Sequence, residues 1–180
     1  EMPYLVKPSD GEVLKLGPPV SGEIRIAMDP HQRADSPCVM GTYTIPSRGS
    51  SAWHRFLHWG MVLVVHKGQG RATVEGETMT VVPGVTVVVP AGAWYELKNT
   101  GTGVLQMTWI ALAPGIERFF RELASVGAAA DATAIEAVMA RHGVEYRAKH
   151  ERPAQPEGSA ARLQHRRHRR GGRGRQAGGR

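Results

Sequence analysis

Between Gly84 and Asn99 the chain reads GVTVVVPAGAWYELKN. The order is Gly, five residues, Pro, one residue, Gly, two residues, an aromatic, three residues, Asn. Such β-branched and aromatic runs favour extended backbone over helix. Pro90 and Gly92 supply turn geometry between them. Two strands, 85–89 and 94–99, joined by a Pro-Ala-Gly turn, are the expected local structure. They are further expected to lie as adjacent antiparallel partners.

The same texture runs from residue 12 to about residue 113. Short apolar or β-branched stretches at 12–16, 23–28, 38–45, 51–57, 61–67, 70–75, 78–82, 85–89, 94–99 and 104–112 alternate with Gly-, Pro-, Ser- or Asn-containing breaks. Many short strands at such spacing indicate an all-β sandwich or barrel. Beyond Pro114 the period changes: Ile116, Phe119, Phe120 and Leu123 recur at helical spacing, with Gly127 as a stop. A second helix is expected over 131–142, with Asp131 as N-cap and Gly143 after its end. Both helices are expected to lay their apolar stripes on the outside of the β-domain. Residues 1–147 are read as one domain and 148–180 as a disordered Arg/Gly-rich tail.

Charge divides along the same line. The 180 residues carry a net +7, yet residues 161–180 hold eight arginines and no acid, so removing that +8 leaves −1 over residues 1–160. The tail should bind polyanions weakly and in a salt-dependent way, and it lacks aromatics for base stacking. Removing it is expected to leave folding intact. A single cysteine, Cys38, rules out an internal disulfide and suits a reducing cytoplasm. No run of about 18 apolar residues and no basic-then-apolar leader is visible, so a cytoplasmic protein with no membrane partner is expected. Glu1 ahead of Met2 reads as an expression remnant, with Met2 as the native start.

An upstream stretch, HRFLHWGMVLVVHKG from His54 to Gly68, joins the Gly84–Asn99 pattern in the right order. Together the two motifs resemble the paired motifs of the cupin superfamily, over about residues 47–112. The helix opening at Gly115 resembles the one that follows the barrel in quercetinase-like cupins. The resemblance implies a cupin jelly-roll barrel over about 12–113, followed by two helices. It also implies a homodimer, by β-augmentation through residues Tyr4 to Val6 or strand 23–28. Anchored on Gly68, the family pattern places His54 at its first histidine, Phe56 at its second, Met61 at its glutamate and Tyr95 at its last ligand. One of four usual metal ligands therefore survives.

A divalent ion needs several convergent lone-pair donors. Phe56 and Met61 do not supply them for an imidazole-type site, and Tyr95 would have to lose a phenolic proton. No cofactor is expected; if a divalent metal binds, His54, His58 and Tyr95 would be its ligands, with His58 swinging in from the turn. Strand alternation puts Ala52 and Phe56 inward with His54, Leu63 and Val65 with Met61, and Leu97 with Tyr95, while Trp94 and Glu96 face the other way. His54, Tyr95 and His58 are the candidate catalytic residues. Phe56, Trp59, Met61, Leu63, Leu97 and Met107 are the candidate substrate contacts. Plainer readings stand beside these: His54 hydrogen-bonded to Tyr95 as a barrel residue, Phe56 and Met61 as core, His66 turned outward, Cys38 a packed thiol.

Three functions fit. The first is a non-oxidative small-molecule enzyme (isomerase, cyclase, lyase or epimerase) acting on a hydrophobic or aromatic substrate, with His54 as base and Tyr95 as proton donor. The second is a non-catalytic binding or sensing barrel. The third is a quercetinase-like, metal-dependent dioxygenase with an altered site.

Overall fold

The computed structural model describes residues 5–34, 36–127 and 131–147; the basic tail and Tyr4 lie outside the described residues. Eleven strands and two helices follow in order. They are β1 (Glu12–Leu16), β2 (Gly22–Met28), β3 (Val39–Ile45), β4 (Trp53–Phe56), β5 (Met61–Lys67), β6 (Gly70–Val74), β7 (Glu77–Val81), β8 (Thr86–Val89), β9 (Tyr95–Asn99), β10 (Leu105–Ala111), α1 (Ile116–Val126), α2 (Ala132–Arg141) and β11 (Val144–Arg147). One sheet runs β1-β2-β3-β10-β5-β8 and faces a second that runs β11-β4-β9-β6-β7. All pairings are antiparallel. Inward residues alternate along the longer strands, as in β10, where Leu105, Met107, Trp109 and Ala111 are all buried.

Three expectations need correction. Strands 85–89 and 94–99 are not partners: β8 pairs with β5, whereas β9 pairs with β6 in the facing sheet. The Pro90–Trp94 segment crosses between layers, and it must, because the partners of β8 and β9 belong to different sheets. Strand 23–28 cannot extend a second copy's sheet, since β2 is already hydrogen-bonded to β1 and β3. Finally, the helices do not lie on the outside of the sandwich. Ile116, Phe119, Phe120 and Leu123 of α1 enter the same core cluster as Trp109 and Phe56.

The caps are those the sequence calls for. Gly115 takes φ 120° ahead of α1, a conformation side chains disfavour, and Asp131 accepts the Ala134 N–H at 2.7 Å at the start of α2. A buried ion pair pins α1 to the sheet: Arg121 donates to Asp29 at 2.6 Å and also to Glu12 at 2.6 Å. Burial alone would raise the Asp29 pKa, but Arg121 and the backbone N–H groups of Gln32 and His31 outweigh it and hold the carboxylate below its ordinary range. After α2 the chain adds β11 to the free edge of β4, a strand the sequence reading did not foresee. Among the described residues no helix is long and apolar enough to cross a membrane.

Candidate functional site

The two sheets and the helical cap enclose one apolar cavity. His54 and Phe56 reach it from β4, Met61 and Leu63 from β5, Tyr95 and Leu97 from β9. These six were all placed inward by strand alternation. Phe119, Phe120 and Leu123 of α1, Met139 of α2 and Val144 of β11 close the other side. The free volume is about 40 Å³, room for the centres of about three water molecules.

His54 is held by its own strand. Ala52 adopts φ 61°, uncommon for a residue with a side chain, and its carbonyl oxygen lies 3.1 Å from His54 Nδ1. A carbonyl only accepts, so Nδ1 carries the hydrogen and Nε2 keeps a lone pair. Among the described residues Nε2 has no hydrogen-bond partner. Burial among apolar walls pushes the imidazole down to about 4, against a smaller opposing effect of the Ala52 bond, so His54 is neutral at pH 7. Its ring packs against Tyr95 at 4.3 Å and edge-on to Phe56 at 5.1 Å.

Tyr95 is not bonded to His54. Its hydroxyl donates instead to Met61 Sδ at 3.7 Å, and thioether sulfur is a weak acceptor. Burial raises the Tyr95 phenol well above its ordinary range, so it stays protonated. A second phenol on the wall, Tyr43, is raised mainly by burial and donates to the Ser21 carbonyl at 2.9 Å. Trp109 lines the cavity as well, and its buried Nε1–H has no acceptor among the described residues. The sequence reading missed Tyr43 and Trp109; inward alternation along β3 and β10 was the available signal.

Three candidates lie elsewhere. His58 is exposed, its ring against Gly143, where a Cβ would come within 2.5 Å of Nε2; it does not swing inward. Trp59 packs on Phe56 and donates to the Pro114 carbonyl at 3.2 Å, outside the cavity wall. Met107 is fully buried but is not on the wall. On the opposite face of the sheet, Trp53 and Trp94 stack at 6.3 Å, and the Arg55 and Arg147 guanidinium groups both lie over the Trp94 ring.

A Cupin domain family pattern matches residues 41–111, the span that supplies His54, Met61, Tyr95 and Trp109. Over residues 41–111 the chain carries a cupin domain. No curated protein matches it. Among solved structures, the polyketide cyclase RemF from Streptomyces resistomycificus superposes with a TM-score of 0.52 at 20% identity, over 61% of this chain and 79% of that one. A predicted oxalate decarboxylase from Thermotoga maritima gives 0.51 at 16% identity, over 60% and 97%. A Photorhabdus luminescens protein gives 0.51 at 11% identity, over 78% and 98%. At these identities the likeness is one of fold.

The residues present do not fit a divalent ion at the four positions of the cupin pattern. Only His54 offers an imidazole, Phe56 offers no donor, Met61 is engaged by Tyr95, and Tyr95 keeps its proton. Among the described residues, no group of three or more His, Cys, Asp or Glu is placed to hold an ion.

Proposed function

We propose that this protein is a small-molecule enzyme that moves protons within a carbonyl-bearing substrate, an isomerase or epimerase in reaction type. The observation that carries the reading is the His54 tautomer: Nδ1–H is spent on Ala52, leaving Nε2 as a base in a cavity shared with a protonated phenol. In this scheme His54 Nε2 takes a proton from the carbon next to the carbonyl. The electron pair moves onto the carbonyl oxygen, which accepts a hydrogen bond from Tyr95. The imidazolium then returns the proton to another carbon or to the other face, regenerating neutral His54. Nothing else is consumed. A cyclase follows if the enolate carbon attacks a second carbonyl of the same molecule.

A base with a pKa of about 4 is weak, so the Tyr95 hydrogen bond has to acidify the carbon. Leaving Met61 for a carbonyl oxygen costs that hydroxyl only a bond to sulfur.

A second reading, a non-catalytic binding barrel, is favoured by the small volume, which holds no aromatic substrate while α1, α2 and β11 are in place. The two readings part on deuterium wash-in. A panel of small carbonyl compounds is incubated with the protein in D₂O and followed by proton NMR. The enzyme reading expects exchange at one carbon, lost in His54→Ala and cut at least tenfold in Tyr95→Phe. Exchange that is equal in His54→Ala removes the enzyme reading, and saturable binding without exchange supports the barrel. Exchange reversibly abolished by EDTA would return the metal to the account.

A further inference from the structure

We infer that the indole N–H of Trp109 is a second donor of this cavity, forming with the Tyr95 hydroxyl a site for the oxygen of a small, neutral carbonyl compound. The inference rests on the reading above that the interior receives a ligand, and adds a recognition residue and a ligand size to it. Trp109 sits mid-strand on β10 and is fully buried, yet among the described residues Nε1 has no acceptor. A buried donor left unpaired is costly, on the order of 1–3 kcal/mol, and native proteins keep few of them. Phenylalanine would fill much of the same space without that cost.

The remaining walls explain what could relieve it. They are carbon and sulfur apart from His54, the three phenols of Tyr43, Tyr95 and Tyr146, and Ser51. Tyr43 is committed to the Ser21 carbonyl and the Ser51 hydroxyl to backbone groups. Tyr146 is 39% exposed, so among the described residues the buried donors left for a ligand are the Trp109 indole and the weakly held Tyr95 hydroxyl. Two donors and one lone-pair base suit a carbonyl oxygen with an acidic C–H beside it. They do not suit an anion, since among the described residues no cationic side chain lines the cavity. Free space for about three waters corresponds to roughly three to five non-hydrogen atoms.

The rival account is an N–H pointing into the face of Phe120, whose ring stands edge-on to Trp109 at 5.3 Å. Acetone and isobutene separate the two, being equal in shape while only acetone accepts a hydrogen bond. The full chain, labelled with ¹⁵N at its tryptophans, is titrated with each. The Trp109 indole signal is assigned by elimination through Trp53→Phe, Trp59→Phe and Trp94→Phe.

Acetone should move the Trp109 indole proton downfield saturably, and isobutene should not. In Trp109→Phe, acetone affinity should fall at least fivefold while the thermal midpoint holds or rises, because an unpaired donor has been removed. A Trp109 signal indifferent to acetone, or moved alike by both probes, overturns the inference. If acetone binding then still weakens in Tyr95→Phe, the oxygen site is Tyr95 alone and the proposed function stands. If the inference holds but no carbonyl compound exchanges deuterium, the proposed function fails and the recognition site remains. The wild-type titration decides the matter even where Trp109→Phe does not fold.

Discussion

His54 and Tyr95 form the cross-strand pair that joins β4 to β9, with their rings 4.3 Å apart. The neighbouring pair in chain order on β4, His54 with Tyr146, attaches β11 on the other side. The candidate base therefore sits where a lightly paired strand bridges the sheet, and its backbone contacts fix both the tautomer and the neighbour.

The first prediction concerns pH and stability. His54 has a folded pKa of about 4 against an unfolded value of 6.5. Between those values the unfolded chain binds a proton that the folded chain excludes. The stability linked to this group is complete above about pH 6.5, declines as the pH falls, and levels off near pH 4. The full loss is on the order of 3 kcal/mol. Urea unfolding at pH 7 and at pH 4.5 should show this decline in the wild type and a shallower one in His54→Phe. Equal slopes would place the acid sensitivity elsewhere.

The second concerns the cap. Phe120 packs on Phe56, Phe119 and Trp109. Phe120→Ala should cost about 3–5 kcal/mol and enlarge the cavity. Benzene should then raise the thermal midpoint of the variant by several degrees while leaving the wild type within one degree. An equal rise in the wild type would show that α1 yields to an aromatic ligand unaided.

Much of this was legible in the sequence, for identifiable reasons. Strand positions followed from β-branched runs between turn residues, and period-two alternation placed His54, Phe56, Met61, Leu63, Tyr95 and Leu97 on one side. Layer assignment was not legible, because the Pro90–Trp94 segment reads equally as a hairpin turn or as a crossing between sheets. Nor was β11: four residues, Val144–Arg147, alternate too briefly to distinguish a strand from a tail. The apolar stripe of α1 announced a buried face but not its location. That misplacement mattered most, since Phe119 and Phe120 reduce an interior expected to hold an aromatic substrate to one of about 40 Å³.

The third concerns assembly. On the outer face of the six-stranded sheet, the register aligns Met40, Ile110, Val62 and Val88 in one row across β3, β10, β5 and β8. Val88 is 63% exposed. With strand 23–28 unavailable, this row is the better expectation for a homodimer contact. Sedimentation should give about twice the 19.5 kDa chain mass for the wild type and the single mass for a Val62→Lys, Val88→Lys variant. A wild type that is monomeric at high micromolar concentration would contradict it.

The central claim is that His54 presents a neutral lone pair at Nε2 inside the barrel, and ¹⁵N NMR of histidine-labelled protein tests it most directly. At pH 7 the His54 resonances should show a protonated Nδ1 and an unprotonated Nε2, and the ring should not titrate until the pH approaches about 4. An Nε2–H tautomer, or titration near pH 6.5, would contradict it.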